Sequence, residues 1–135
     1  LHDYGFIKSH VDHEETGALM SKDILPEYYF SDDHIDTISS LILITKVAEK
    51  PSNLLESIIR DADLEYIGSN DFEKISEYLK KEWTECGVVK NDSQFYKIQY
   101  EFLLSHNFYT AFMQEKGREQ KMKNIDYAKM MMEKS

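Results

Sequence analysis

The sequence DDHIDTISSLILIT at residues 32–45 decides the fold class of this chain. Its apolar side chains recur at a spacing of three or four residues, at Ile35, Ile38, Leu41 and Ile42. This spacing is typical of an amphipathic helix. The run Ile42-Leu43-Ile44 is apolar on several sides of such a helix, which predicts that the helix is central and buried.

The segments before and after this stretch predict further helices. We expect them over about 13–25 with Asp12 as cap and Pro26 as stop, from Pro51, from Asn70 or Asp71, after the polar loop 90–93, and from near Tyr109 with an interruption at Gly117. Asp and Asn favour the N-cap, and proline is well tolerated in the first turn. No segment of useful length alternates with the period of two that a strand requires. The sequence therefore predicts an all-α fold, a bundle of about six helices.

Length and charge limit the classes of function. The chain has 135 residues, which suits one domain over residues 1–135. Its 25 acidic and 16 basic side chains give a formal net charge of -9. Because an acidic surface repels phosphate backbones, we expect no binding to a nucleic acid polymer.

The remaining composition indicates the compartment. Cys86 is the single cysteine, which excludes an internal disulfide and a CxxC zinc site and fits a reducing compartment. No apolar run approaches the length of a membrane helix, and no secretory signal is visible. The sequence predicts a soluble, cytoplasmic protein without a membrane partner and leaves open a homodimer.

Two acidic groupings are the first candidates for chemistry. His2 and Asp3 are adjacent, so on a helix their side chains point about 100° apart and flank a point where a cation could bind. Asp61 and Asp63 lie within an otherwise apolar helical segment, and Asp is rarely buried unless it is paired or binds a metal. The alternative is structural: Arg60 or a lysine satisfies one of these carboxylates and water satisfies the other.

A second histidine group is weaker. His10 and His13 are three residues apart and could share a helical face, but a solvated pair is the simpler interpretation. The stretch His13-Glu14-Glu15-Thr16-Gly17 begins like the zinc-protease HExxH motif, yet Gly17 occupies the position of the second histidine. The zinc-protease hypothesis therefore fails.

Four segments together resemble a known family. They are LHDYG at residues 1–5, HEETGA at 13–18, ITK at 44–46 and DADLEYIG at 61–68. In this order they resemble the HD-domain metal-dependent phosphohydrolase superfamily, within it the bacterial branch of predicted metal-dependent phosphohydrolases. The resemblance covers nearly the whole chain and implies an HD-like helical bundle.

The resemblance implies a set of metal ligands. In the family pattern, a histidine, a His-Asp doublet and a final aspartate come from separate helices and bind one or two divalent cations. His2 and Asp3 match the doublet, Asp63 best matches the final aspartate, and Asp61 is the second choice. The first histidine would lie upstream of Leu1, and we expect the domain to be N-terminally incomplete. Such ligands suit Mn, Fe, Co, Ni, Mg or Zn.

The implied activity is hydrolysis of a nucleotide or another small phosphate ester by a metal-activated water. Glu14 or Glu15 would position that water or a ligating histidine. Lys46 is a candidate phosphate contact, the alternative being an ordinary surface lysine. A competing hypothesis is a non-catalytic helical binding or regulatory module that retains the HD fold.

Overall fold

A computed structural model of the protein describes residues 1–8 and 11–135. Within these ranges the α-helices are α1 (His13–Ile24), α2 (Asp32–Leu43), α3 (Leu54–Asp63), α4 (Phe72–Glu85), α5 (Asp92–Ser105), α6 (Ala111–Lys116) and α7 (Arg118–Lys134). Short 3₁₀ helices cover Tyr4–Ile7, Leu25–Tyr28 and Glu65–Gly68. The described residues contain no strand, and the predicted all-α class is confirmed.

The helix boundaries follow the sequence with two corrections. The last predicted helix is interrupted at Gly117, as expected, and this gives seven α-helices in the described ranges rather than about six. Pro51 does not start α3, which begins at Leu54. The Asn53 side chain accepts a hydrogen bond from the Glu56 backbone N–H at 3.0 Å, so asparagine supplies the N-cap.

The chain divides into two compact units, Leu1–Arg60 and Asp61–Ser135. A single domain over residues 1–135 stays a prediction. None of the helices in the part of the chain that the structure describes combines the length and the apolar character needed to span a bilayer.

In the first unit, α1 packs closely against α2 through small side chains. The hydroxyl oxygens of Ser21 and Ser39 lie 3.0 Å apart, and both hydroxyls donate to the Ala18 carbonyl oxygen, at 2.7 and 3.3 Å. Ile42 is buried as predicted, but the neighbouring Leu43 is 40% exposed. The prediction that the apolar run is buried on several sides is therefore wrong at Leu43.

The first 3₁₀ helix makes a backbone contact with α1. A Cβ atom built on Gly5 would lie 1.8 Å from the His13 carbonyl oxygen and 2.8 Å from the Gly17 backbone nitrogen. Gly17 is itself close, because a Cβ there would lie 3.4 Å from the His2 carbonyl oxygen. Two glycines thus allow the segment that carries His2 to contact the first turns of α1.

The second unit has an aromatic and aliphatic core. One buried cluster comprises Ile67, Phe72, Leu103, Phe108, Met113 and Ala128, and another comprises Val89, Phe95 and Tyr96. Asn124 is a buried polar side chain that is paired: it donates to the carbonyl oxygens of Ile67 and Ser69, both at 3.0 Å. Such pairing is needed because an unsatisfied polar group in a core is costly.

Asp61 is a buried structural carboxylate in this unit. It is 2% exposed and accepts hydrogen bonds from the Tyr109 N–H at 2.9 Å, the Thr110 N–H at 2.7 Å and the Thr110 hydroxyl at 2.6 Å. Thr110 is the N-cap of α6, and its side chain accepts from Met113. Both oxygens of Asp61 therefore hold the chain where α6 begins.

Substitution of Gly5 tests the backbone contact. We expect Gly5→Ala to lower the free energy of unfolding by about 3 kcal/mol, because the new methyl group overlaps backbone atoms that no rotamer change can move. Urea denaturation followed by circular dichroism measures the change. Gly87→Asn is the control, since φ at Gly87 is +72° and nothing lies near its Cβ direction, and Asn tolerates this conformation. Equal stability of Gly5→Ala and wild type would refute the contact.

Removal of the Asp61 carboxylate tests the anchoring of α6. We expect Asp61→Ala to cost about 3 kcal/mol of unfolding free energy, because two N–H groups and a hydroxyl lose a charged acceptor. Asp126→Ala is the matched control, since Asp126 is exposed on α7 and should change stability by less than about 0.5 kcal/mol. The same denaturation experiment compares the two variants, and similar midpoints would contradict the anchoring role.

Candidate metal centre

The predicted His-Asp doublet lies at the start of the first unit. His2 and Asp3 directly precede the 3₁₀ helix Tyr4–Ile7, and the Asp3 side chain makes no capping hydrogen bond there. The His2 Nε2 atom lies 3.0 Å from one Asp3 carboxylate oxygen. Asp3 is 63% exposed at its side chain, so its carboxylate is accessible to solvent and to a ligand.

His13 contributes a second imidazole to this doublet. Its Nε2 atom lies 3.9 Å from the other Asp3 oxygen and 3.4 Å from a Glu14 carboxylate oxygen. The ring is stacked on Phe6, with centroids 3.7 Å apart and an interplanar angle of 20°. The first unit therefore brings together His2, Asp3, His13 and Glu14, which we call the N-terminal cluster.

Sequence reasoning did not place His13 in the candidate site. The sequence predicts His13 as one of a solvated pair with His10, and His10 lies outside the described residues. Helical periodicity does not reveal the grouping, because the proximity of His13 to Asp3 depends on the backbone contact at Gly5. Gly5 and Gly17, which permit that contact, are the sequence feature that accompanies the grouping.

The donor set of the N-terminal cluster suits a divalent cation. Imidazole nitrogen and carboxylate oxygen are the usual protein ligands of Mn, Fe, Co, Ni and Zn. The Nε2 atoms of His2 and His13 both face oxygens of the Asp3 carboxylate. Either a proton shared between imidazole and carboxylate or a cation bound by both groups would satisfy these nitrogen and oxygen atoms. Among residues 1–8 and 11–135, however, no three or more His, Cys, Asp or Glu side chains are placed so that together they could hold a metal ion.

Glu15 and Lys46 form an ion pair in the same unit. The Lys46 ammonium donates to a Glu15 carboxylate oxygen and also lies 3.3 Å from an Asp12 oxygen. The hydrogen bond between Lys46 and Glu15 lowers the pKa of Glu15 and raises the pKa of Lys46.

Asp12 does not cap α1 with its side chain, although the sequence predicts that it does. Its φ of +52° is left-handed and no side-chain capping bond forms, whereas a capping residue is normally extended.

The backbone that carries Lys46 is fixed by Arg60. Arg60 is buried at 4% exposure, and its Nη1 atom donates to the carbonyl oxygens of Thr45 at 2.6 Å and Lys46 at 3.0 Å. Those carbonyls follow the end of α2, where helical partners are lacking. Arg60 thus supports the segment after α2. Its guanidinium donates to carbonyl oxygens of residues 45–47 rather than to the aspartate that the structural alternative predicts.

Asp61 and Asp63 have different environments in the second unit. Both oxygens of Asp61 already accept hydrogen bonds from Tyr109 and Thr110, which favours a structural role. Asp63 is only partly buried. Burial raises the pKa of the neighbouring Tyr66 hydroxyl to about 12, and the negative charge of Asp63 contributes to that increase. Of the two carboxylates, Asp61 is the one that accepts hydrogen bonds from the backbone before α6.

The predicted ligands therefore fall in two units. His2 and Asp3 belong to the first, and Asp61 and Asp63 belong to the second. Convergence of the doublet with Asp63 on one cation stays a prediction.

Comparison of the chain with the models of known protein families, with curated proteins and with solved structures found no match.

Proposed function

We propose that this protein is a metal-dependent phosphohydrolase that acts on a nucleotide or another small phosphate ester. The observation that carries the proposal is the Asp3 carboxylate between two imidazoles, with His2 at 3.0 Å and His13 at 3.9 Å. The ordered motifs that resemble HD-domain phosphohydrolases support the same activity. His2, Asp3 and His13 would hold the cation from the first unit.

The ligand chemistry supports hydrolysis at phosphorus. A bound divalent cation polarises a phosphoryl oxygen and lowers the pKa of its bound water towards neutrality. The protein as a whole carries a charge of -9, which disfavours phosphate binding at a distance. A resident cation would supply the local positive charge that a small phosphate ester needs.

The neighbouring residues have defined supporting roles in this proposal. Phe6 fixes the plane of the His13 ring by stacking. Glu14 is buried at 8% exposure, and its carboxylate oxygen lies 3.4 Å from the same His13 Nε2 atom that faces Asp3. Because Glu14 shares this nitrogen with Asp3, it would position the metal-bound water or add an oxygen ligand beside His13, rather than orient the ring through its other nitrogen.

Lys46 would contact the phosphate group of the substrate, and Glu15 holds the Lys46 ammonium by an ion pair. The Lys46 ammonium is partly exposed and is held between Glu15 and Asp12. A phosphate ester would have to compete with those two carboxylates for the ammonium. Lys46 is therefore proposed as a contact to substrate rather than as a group that transfers a proton.

Metal binding is the first test. We expect the wild-type protein to bind Mn²⁺ and to lose about 100-fold or more in affinity on either His2→Ala or Asp3→Asn, because each substitution removes a ligand. Isothermal titration with elemental analysis of the purified protein measures this. His34→Ala and Asp23→Asn are matched controls: His34 contacts Ser31, and Asp23 is exposed on α1. Unchanged affinity in both ligand variants would refute the proposed site.

Turnover is the second test. We expect the metal-loaded protein to hydrolyse members of a panel of nucleotides and generic phosphate esters, and Asp63→Ala to abolish both metal retention and phosphate release. Asp126→Ala, on α7, should retain both. Released phosphate is measured by colorimetry under identical metal loading. If the protein binds metal but hydrolyses none of the panel compounds, the non-catalytic module is favoured. Full activity of Asp63→Ala would refute the ligand role of Asp63.

A further inference from the structure

The second unit contains a cavity that the proposed phosphohydrolase site does not use. Its volume is about 380 Å³, and it is lined by Asn107, Phe108, Gln114, Arg118, Lys121, Met122 and Ile125. Small-molecule sites have volumes of about 300–1,000 Å³ and combine apolar walls with a few polar groups. The size and the lining of this cavity are both within that description.

The charge of the cavity is opposite to that of the protein. Arg118 and Lys121 both line it, and its seven lining residues include no carboxylate, whereas the chain has a net charge of -9. By contrast, the other lysines near acidic groups are paired, as in Lys116 with Glu65 and Lys123 with Glu119. A concave surface with two cations and no acid among its lining residues is suited to an anion.

Arg118 and Lys121 both have N–H donors available to hydrogen-bond a ligand. Arg118 is exposed, and its side chain forms no hydrogen bond or ion pair among residues 1–8 and 11–135, so all five of its guanidinium N–H donors are open to a ligand. The Lys121 ammonium donates to the His106 carbonyl oxygen, which uses one of three donors. Burial lowers the pKa of Lys121, and an anionic ligand would offset that cost of burying the charge.

Part of the cavity lining is apolar. Phe108 is buried at 5% exposure, and Met122 and Ile125 continue the wall along α7. Gln114 is fixed by donating to the Phe108 carbonyl oxygen at 2.8 Å. A bare inorganic anion would leave this wall in contact with water, whereas an organic anion would cover it and gain the free energy of apolar burial.

We propose that this cavity binds a small organic oxyanion, with its carboxylate or phosphate group on Arg118 and Lys121 and its apolar body against Phe108, Met122 and Ile125. The planar guanidinium of Arg118 can pair with either head group through two parallel hydrogen bonds. The site is independent of the N-terminal cluster, because all of its lining residues belong to the second unit.

The probes are benzoate, phenylphosphonate and benzamide, titrated into the wild-type protein and followed by NMR chemical shifts. Benzoate and phenylphosphonate distinguish a planar carboxylate from a tetrahedral phosphate-like head group, and binding of either one supports the proposal. Benzamide has nearly the shape of benzoate without its charge. We expect benzamide to bind at least about tenfold more weakly than the better anion, since charge-assisted hydrogen bonds are lost. Equal binding of benzamide, or no binding of either anion at millimolar concentration, would overturn the proposal.

A pair of variants locates the binding. We expect Arg118→Gln to weaken the better anion at least about tenfold, and Lys129→Gln to leave it unchanged. Lys129 is the matched control because it is an exposed lysine on the same helix. Unchanged binding in Arg118→Gln would overturn the proposal.

A third variant separates this site from the proposed metal centre. Oxyanions also bind to protein-held metal ions, so the same titration is made with His2→Ala. Retained binding in His2→Ala together with loss in Arg118→Gln supports the cavity, whatever the outcome of the metal and turnover experiments. Loss in His2→Ala with retention in Arg118→Gln would assign the anion to the metal and overturn the inference.

Discussion

The candidate site depends on the close contact between the Gly5 backbone and the first turn of α1. A side chain at Gly5 would overlap the His13 carbonyl oxygen, so only glycine permits the approach. Because Tyr4–Ile7 lies against α1 at this point, the Asp3 carboxylate comes within reach of His13 as well as His2. A steric property of one residue thus assembles chemical groups that are ten positions apart, and the proposed metal centre exists only while that contact is maintained.

Two aspartates separated by one residue illustrate how packing assigns roles. In sequence, Asp61 and Asp63 are equivalent candidates for a metal ligand, and the family resemblance alone favours Asp63. In the structure, Asp61 accepts three hydrogen bonds from Tyr109 and Thr110, which stabilise the backbone at the start of α6. A carboxylate that replaces missing helical partners cannot be released without cost. The physical environment therefore gives Asp61 a structural role, and the ligand role of Asp63 stays a prediction.

The positive charges at Lys46 and at Arg118 and Lys121 have different surroundings. Lys46 is neutralised locally by Glu15 and Asp12, so a phosphate group must displace existing partners to reach it. Arg118 and Lys121 line a cavity without acidic lining residues and retain free donors. In a chain with a net charge of -9, such an arrangement concentrates attraction for anions in one place. Net charge alone would have suggested that anionic ligands are excluded throughout.

The sequence by itself determined the helical class, most helix positions and the break at Gly117, because these depend on local periodicity, capping residues and glycine. It also supplied His2, Asp3 and Asp63 as candidate ligands through the order of short motifs. It could not supply His13 as a neighbour of Asp3, the structural role of Asp61, or the cavity at Arg118. It placed the cap of α1 correctly at Asp12 but without revealing that no side-chain capping bond forms there, and it started α3 too early, at Pro51 instead of Leu54. Those features were decided by tertiary structure, because they depend on backbone contacts and on hydrogen-bond partners up to 49 positions away, which local sequence patterns do not encode.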